Sequence, residues 1–249
     1  SLDTNRICIC GGGPLPSSTF KMFNQLGIDF VQGYGLTETS PILTLNPVKA
    51  YREASVGLPL PQVEMKIINA DERGIGEIAV KGPMVMQGYY KNKEATDEIM
   101  LGDGWLNTGD VGYQDREGYL YLTGRKRSLI VTEGGKNVFP EEIEDLFQLY
   151  EEVDQILILG YIIDKKEKTE GIQALIYPGE AYIEKMTESS GGEEAAFKDI
   201  EKRMQEIINE VNRGLPAYKK ISRVHVLSEP MEMTTTKKIK RFKYADEYK

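Results

Sequence analysis

Two glycines separated by a single residue, Gly33 and Gly35 in the stretch QGYGLTETSP (residues 32–41), constrain this chain more than any other feature. They follow an apolar run of strand character at residues 28–31, so the chain leaves a strand through backbone that carries no side chain at two alternate positions. Such backbone lets a ligand approach closely, and the neighbouring residues are chemically equipped for one. Tyr34 offers a flat face suited to a purine, Thr37 has a hydroxyl able to donate to a phosphate oxygen, and Glu38 is a hard oxygen ligand of the type that holds Mg²⁺. A glycine-punctuated loop after a strand accounts for the same pattern without a ligand, so the segment alone leaves both readings open.

The surroundings say what kind of sheet this strand belongs to. Residues 7–10 (ICIC) read as a strand, Ser17 is placed as a helix N-cap, Phe20 and Phe23 fall on one helical face, and Gly27 ends the helix. Strand, helix and strand in alternation up to about residue 45 are the last piece of a doubly wound α/β sheet. From residue 56 to 123 the pattern becomes short strands and turns, at 63–68, 77–81 and 118–122, which suits a small antiparallel barrel or sheet.

From Arg127 onward the pattern is mixed α+β. Pro140 fits the first position of a helix with Glu141 and Glu142 at its positive end and Ile143, Leu146, Phe147 and Tyr150 as its apolar stripe. Strands are expected at 156–161 and 172–177 around the charged turn DKKEKTEG, and residues 178–194 read as a polar, mobile insertion. Phe197, Ile200, Met204, Ile207, Ile208 and Val211 then recur at helical spacing until Gly214 and Pro216.

Composition narrows the class. The 249 residues, 40% hydrophobic and 28% charged, can build one or two domains. No apolar run approaches the roughly 20 residues a membrane-spanning helix needs, and no basic-then-apolar leader opens the chain, so a cytoplasmic protein with at most peripheral membrane contact is expected. A formal net charge of −8 argues against nucleic acid as a partner. Cys8 and Cys10 alternate along one strand, too near for a disulfide, and read as packing thiols; the single His225 suggests no zinc site. Positive charge gathers in the tail KKIKRFK (237–243), with smaller pairs at Lys165–Lys166 and Lys219–Lys220.

Further motifs follow in order: GGGPL from Gly11, GEIAVKGPMVMQGYY from Gly76, GWLNTGD from Gly104, GYLYLTGRKRSLIVTEGGKNVFPEEIE from Gly118 and TTTKKIKR from Thr234. Together with QGYGLTETSP they resemble the adenylate-forming superfamily of acyl-CoA synthetases, luciferases and peptide-synthetase adenylation domains, with wording most like the long-chain fatty acyl-CoA synthetases. The resemblance covers the later half of the family pattern. It implies the end of a large AMP-binding domain over residues 1–124, comprising an α/β sheet piece and a barrel-like subdomain. A hinge at residues 125–126, with Lys126 as the hinge residue, and a small mobile α+β domain over 127–249 follow.

The same resemblance assigns roles. ATP would be met by Gly12, Gly13, Gln32, Gly33, Tyr34, Gly35 and Thr37, with Tyr34 lining the adenine pocket and Glu38 binding Mg²⁺. Asp110 matches the aspartate on the ribose hydroxyls, where a carboxylate accepts from two O–H groups, and Arg125 the arginine that reaches the ribose or α-phosphate. Without a ligand, Asp110 would be a turn residue and Arg125 a surface cation. Lys238 matches the lysine of Thr-x-Thr-x-Lys followed by an aliphatic, which offsets charge in the adenylation step; Lys237 stands where the family often has glycine. Gly134, Gly135 and Lys136 match the segment that meets coenzyme A after a domain rotation, and a hairpin turn explains them equally. The implied reaction joins a fatty acid to AMP and then to CoA. An acyl carrier protein as acceptor, docking near Lys219 and Lys220, and a non-catalytic nucleotide-binding module are the alternatives.

The family's Ser/Thr/Gly-rich loop ending in Pro-Lys-Gly, which wraps the β and γ phosphates, has no counterpart here. Gly11, Gly12 and Gly13 run into Pro-Leu-Pro, which supplies neither hydroxyls nor a lysine. The expectation is a C-terminal portion of an adenylating ligase that is inactive by itself.

Overall fold

The computed structural model describes residues 7–12, 17–133, 135–164, 169–235 and 238–248, and the chain divides into two compact units, Ser1–Arg127 and Ser128–Lys249. In the first, strands β1 (Cys8–Cys10) and β2 (Phe30–Gly35) pair in parallel and are joined by helix α1 (Ser17–Gln25), the connection expected for a doubly wound sheet. The face of α1 follows the expected stripe: Phe23 stacks on Phe30 with ring centroids 4.8 Å apart, and Phe20 meets Phe30 edge-on at 6.1 Å. The capping role of Ser17 concerns a side chain outside the described residues. Strand β2 turns back into β3 (Ile42–Leu45), which pairs with β4 (Leu58–Pro59), both antiparallel. Cys8 and Cys10 are free and half-buried on one side of β1, while Ile9 between them is exposed.

A second, wholly antiparallel sheet runs β5 (Glu64–Ile68), β6 (Gly76–Lys81), β7 (Trp105–Gln114), β8 (Leu120–Arg125), with the short helix α2 (Lys93–Ile99) between β6 and β7. The two sheets meet at one corner, where Val56 N–H donates to the Leu120 carbonyl and Leu120 N–H to the Gly57 carbonyl, each at 2.9 Å. Of the barrel or sheet expected from residue 56 to 123, the structure has the open four-stranded antiparallel sheet. Leu43, Ile78, Val80, Leu106 and Leu120 fill the core between the two sheets. Strand β7, ten residues long, carries no strand signal in GWLNTGD because its Asn and Thr side chains bond to β6 and its Asp to Tyr34 of β2 instead of marking a turn.

In the second unit β9 (Ile130–Thr132) and β10 (Lys136–Val138) form the hairpin expected around the glycines, and α3 (Pro140–Glu144) begins on its proline. The stripe assigned to α3 needs one correction. The helix tightens into a 3-10 turn at Asp145–Phe147, which buries Phe147 and rotates Leu146 outward to 45% exposure. Strands β11 (Gln155–Asp164) and β12 (Thr169–Tyr177) pair antiparallel, and β13 (Ile221–Val226) joins β12 in parallel. Helix α5 (Glu193–Gly214) lays Ile200, Met204, Ile207, Ile208 and Val211 against this sheet, with Ala196 at the inner position in its first turns and Phe197 beside it.

The mobile insertion expected at residues 178–194 is instead largely helix α4 (Glu180–Ser189). Tyr182, Ile183 and Met186 fall on one helical face and pack on the core, a spacing that the polar composition conceals. The basic tail likewise ends in a helix, α6 (Arg241–Glu247), whose Tyr244 and Ala245, with Tyr248, pack beside Leu157, Leu159, Leu175 and Met231. No helix of the described residues is long and apolar enough to cross a membrane.

Candidate functional site

The glycines of QGYGLTETSP are required first of all by the chain itself. A Cβ on Gly35 would stand 1.8 Å from the Pro41 carbonyl oxygen, and one on Gly33 would stand 3.0 Å from that of Thr44. What approaches them closely is the returning strand β3. At the tip, the hydroxyl of Thr39 makes the local bonds, accepting Leu36 N–H at 3.0 Å and donating to the Pro41 carbonyl at 2.9 Å. The capping explanation for Thr37 therefore belongs to Thr39, and Thr37 stands exposed. Glu38 is half-buried, and its Oε1 accepts the Tyr89 hydroxyl at 2.7 Å. Tyr89 comes from the downstream motif ending in QGYY, and the Met86 N–H of that motif donates to the Glu38 carbonyl at 2.9 Å. The partnership of these two motifs is invisible in either one alone.

At the base of the turn, Tyr34 is 8% exposed and packs among Leu43, Val56, Ile78 and Leu106. Most of its ring is therefore committed to the core, less open than a free purine platform. Its hydroxyl donates to Asp110 Oδ2 at 2.7 Å, and Asp110 Oδ1 pairs with Arg125 Nε at 3.2 Å. Tyr34, Asp110 and Arg125 thus form one cluster, with the carboxylate buried and the guanidinium more than half exposed. Asp110 reaches it through a bulge: Ala79 opposes Asn107 while Glu77 opposes Val111, so β7 carries extra residues there. Gly109 takes φ +73° and its N–H bonds Asn107 Oδ1 at 3.0 Å, which turns the backbone inside the strand. Asp110 is a turn residue in this local sense and a member of the cluster at once.

Burial, and then the neighbouring Asp110 anion, push the Tyr34 hydroxyl well above its ordinary 10.0. The unfolded chain releases this proton first, so the contribution of Tyr34 to stability is complete below pH 10.0 and declines as pH rises beyond it. Urea midpoints measured from about pH 9 to about pH 11 are expected to fall less steeply in Tyr34→Phe than in the parent. Equal slopes would show that Tyr34 is not the group held back.

Gln32 is buried in β2, and Gly12 is exposed with φ +90°; Gly13 and Gly134 lie outside the described residues. In the second unit Gly135 takes φ +70° at the β9–β10 turn, with Lys136 exposed after it. Lys238 sits on a separate small hairpin. Thr234 N–H donates to the Lys238 carbonyl at 2.7 Å, Lys238 N–H to Thr234 Oγ1 at 3.1 Å, and Met233 bridges Ile239. Ile239 turns inward to pack, which leaves Lys238 facing solvent. Lys219 is paired with Glu142, which leaves Lys220 as the exposed member of that pair.

Sequence reasoning gave no part to Glu77, Asn69 and Asn107. Glu77 lies buried on β6 and binds both asparagines and Lys126. Its neighbours come from three strands or their ends, and no short motif contains them.

Comparison with known proteins adds the family. The model for AMP-binding enzymes matches residues 1–90. A 2-succinylbenzoate–CoA ligase of Oceanobacillus iheyensis is 42% identical over 159 residues, covering 62% of this chain and 33% of the relative. A long-chain-fatty-acid–CoA ligase of Salmonella typhimurium is 37% identical over 168 residues, covering 64% and 30%. Among solved structures, o-succinylbenzoate CoA synthetase from Bacillus subtilis, in complex with its acyl-adenylate intermediate, superposes with a TM-score of 0.77 at 27% identity, covering 97% of this chain and 47% of that one. The chain thus spans about half of the length of that enzyme, and its matches to the curated relatives cover about a third of theirs. On motifs, fold and relatives together, the chain belongs to the adenylate-forming superfamily of AMP-binding enzymes.

Proposed function

We propose that this chain is the nucleotide-completing and thiol-directing part of an acid–thiol ligase. A carboxylate attacks the α-phosphate of ATP, giving an acyl-adenylate and pyrophosphate; a thiol then displaces AMP to give a thioester. The observation that carries the reading is the buried Asp110 carboxylate, fixed by Tyr34 on one oxygen and by Arg125 on the other beside the glycine turn. In this reading Asp110 receives the ribose hydroxyls, Arg125 the ribose or α-phosphate, and Thr37 a phosphate oxygen. Tyr34 contributes more by holding Asp110 than by stacking. Glu38 fits Mg²⁺ carried in on the nucleotide: one of its oxygens is taken by Tyr89, and among the described residues no group of three or more Asp, Glu, His or Cys could hold a metal alone. The metal would supply charge neutralisation to the phosphates. Lys238, exposed on its hairpin, supplies the ammonium for the first half-reaction. Gly134, Gly135 and Lys136 flank the thiol's path in the second, after a swing about the link that follows Arg125.

A fatty acid and CoA are the proposed acid and acceptor, on the wording of the motifs and the fatty-acid ligase relative. The 2-succinylbenzoate ligase relative favours an aromatic acid as the second reading. Pairing of Lys219 with Glu142 removes half of the basic patch that an acyl carrier protein would use. A cytoplasmic location accords with ATP and CoA as substrates. Because the relatives carry as much chain again, activity is proposed to need elements outside these 249 residues.

Pyrophosphate release from Mg-ATP, with a panel of fatty acids and 2-succinylbenzoate, tests this in the 249-residue chain and in the same chain joined to the preceding part of a relative's AMP-binding domain. Release is expected only from the joined protein, with Lys238→Ala lowering the rate by roughly 10²–10³-fold. Release by the chain alone would refute the need for further elements; a joined protein indifferent to Lys238→Ala would refute the role of that lysine.

A further inference from the structure

Three residues of β7 stand against one of β6. Ala79 opposes Asn107 and Glu77 opposes Val111, so Thr108, Gly109 and Asp110 face Ile78 alone. A bulge of this size keeps one shape only if the backbone groups it frees are taken up. The Thr108 hydroxyl closes one side, donating to the Ile78 carbonyl at 2.9 Å and accepting Asp110 N–H at 3.2 Å. The middle is held by the residue at which the bulge starts: Asn107 Oδ1 accepts the N–H of Gly109 at 3.0 Å, where φ of +73° turns the chain.

Asn107 is anchored in turn. Its Nδ2 donates to Glu77 Oε2 at 2.8 Å, while Glu77 Oε1 accepts Asn69 Nδ2 at 3.0 Å and Lys126 Nζ at 2.8 Å. Burial by itself would push the Glu77 carboxyl up, but Lys126 and the two asparagines outweigh it and hold the acid below its ordinary 4.5, an anion at neutral pH. An anionic carboxylate only accepts and a backbone N–H only donates, so the amide between them has one orientation that satisfies both. Glu77 thereby sets which way Asn107 points, and Asn107 sets the turn at Gly109. The residue delivered by that turn is Asp110, whose oxygens meet the Tyr34 hydroxyl at 2.7 Å and Arg125 Nε at 3.2 Å. The Glu77 and Asp110 side chains are 8% and 10% exposed, so both ends of this relay lie inside the protein.

We propose that Asn107, oriented by Glu77, is a positioning residue for the Asp110 carboxylate, and that through Asp110 it sets how strongly the ligase prefers a nucleotide carrying both ribose hydroxyls. The second part rests on the reading of Asp110 as the ribose acceptor; the first does not. Asn107→Asp keeps an acceptor for Gly109 but sets a second anion against Glu77, and Asn107→Ala gives up both bonds. Glu77→Gln combined with Asn107→Asp exchanges amide and carboxylate, so the bond between the two positions forms again with its direction reversed, and the acceptor for Gly109 is kept.

Two measurements test this. In the 249-residue chain, without nucleotide, the Cζ resonance of carbon-labelled Tyr34, assigned by its loss in Tyr34→Phe, reports whether the Asp110 carboxylate still sits on the hydroxyl; Asp110→Asn supplies the position of the signal without it. Asn107→Ala and Asn107→Asp are expected to move the signal most of the way to that position, and the exchanged pair to return it. In the joined protein, the ratio of kcat/KM for ATP to that for 2′,3′-dideoxy-ATP is expected to fall roughly tenfold in Asn107→Ala, mainly through KM, and to recover in the exchanged pair. A general loss of stability would not separate the two nucleotides. A Tyr34 signal unmoved in folded Asn107→Ala, or an exchanged pair no better than Asn107→Asp alone, would overturn the proposal. A nucleotide ratio unmoved by Asp110→Asn would overturn the ribose reading, and with it the second part, while the tyrosine signal still judges the placement of Asp110. Should Asn107→Ala fail to fold, Asn107→Asp against the exchanged pair decides it.

Discussion

Gly35→Ala is expected to cost the first unit on the order of 4–5 kcal/mol, at the upper end of what single substitutions do. The added carbon would lie 1.8 Å from the Pro41 carbonyl oxygen and 2.8 Å from the Ile42 Cα, and both are backbone atoms that no rotamer change can move. Nor can the carbonyl swing aside. It accepts Leu36 N–H at 2.8 Å and the Thr39 hydroxyl at 2.9 Å, so relieving the overlap breaks the turn that presents Thr37 and Glu38. The pairing is already irregular between Tyr34 and Gly35, which leaves little slack in register. Gly11→Ala is the control: its new carbon would come no nearer than 3.6 Å to the Gly33 carbonyl, and a change below about 1 kcal/mol is expected. Urea denaturation followed by circular dichroism measures both. Comparable small effects would mean that the turn is not built on the close approach of two strands.

Arg241→Ala is expected to destabilise the second unit by about 3 kcal/mol, the lower end of the range for removing one partner of a buried ion pair, because the two side chains keep 24% and 18% of their exposure. One arm of the guanidinium donates to the Ile158 carbonyl at 2.6 Å, and the other meets both oxygens of Glu144 at 2.7 and 2.9 Å. Glu144 Oε1 also accepts Ile158 N–H at 2.7 Å, so the pair stitches the tail to α3 and β11 at a single point. Burial pushes the Glu144 carboxyl up, and Arg241 with the Ile158 amide opposes that; removing the arginine leaves the carboxylate enclosed without its main counterion. The pair also seats the chain three residues beyond Lys238. Hydrogen exchange should show the loss as faster exchange across β11. The double variant Arg241→Met with Glu144→Met is expected to recover most of the stability, since a buried pair replaced by apolar groups of similar volume is close to neutral. A double variant as weak as Arg241→Ala alone would show that the loss comes from packing of α6 and not from the stranded charge.

How much of this was legible in the sequence depended on whether the information was local. The β1–α1–β2 connection, the Pro140 helix start and the long helix α5 each follow from spacing within one segment, and each stands where the pattern predicts it. Helix α4 did not show, because three apolar residues on one face are outnumbered by charges on the others. Strand β7 did not show, because its polar residues look like turn formers until their partners on β6 and β2 are known. In the same way Asp110 could be singled out by its motif, whereas its grip on Tyr34 joins residues 76 apart. Glu77 had no motif role at all, and only the fold gathers Asn69, Asn107 and Lys126 around it. The tail was half legible. Its basic run was plain, but Arg241 departs from that run to pair internally while Lys238 stays outside, a distinction set by the Met233–Ile239 bridge.

The two units keep separate cores: the cluster around Leu43 and Ile78 shares no residue with the cluster around Ile158 and Met204. The chain has a single tryptophan, Trp105, which lies in β7 of the first unit beneath the ammonium of Lys66, 3.9 Å from its ring centroid. Tryptophan fluorescence, excited to the red of the 14 tyrosines, therefore has its one reporter in one half of the molecule. A preparation whose second unit had melted or been clipped away would still emit as folded protein, and a thermal-shift screen read at the tryptophan would score binders of the first unit and stay blind to those of the second.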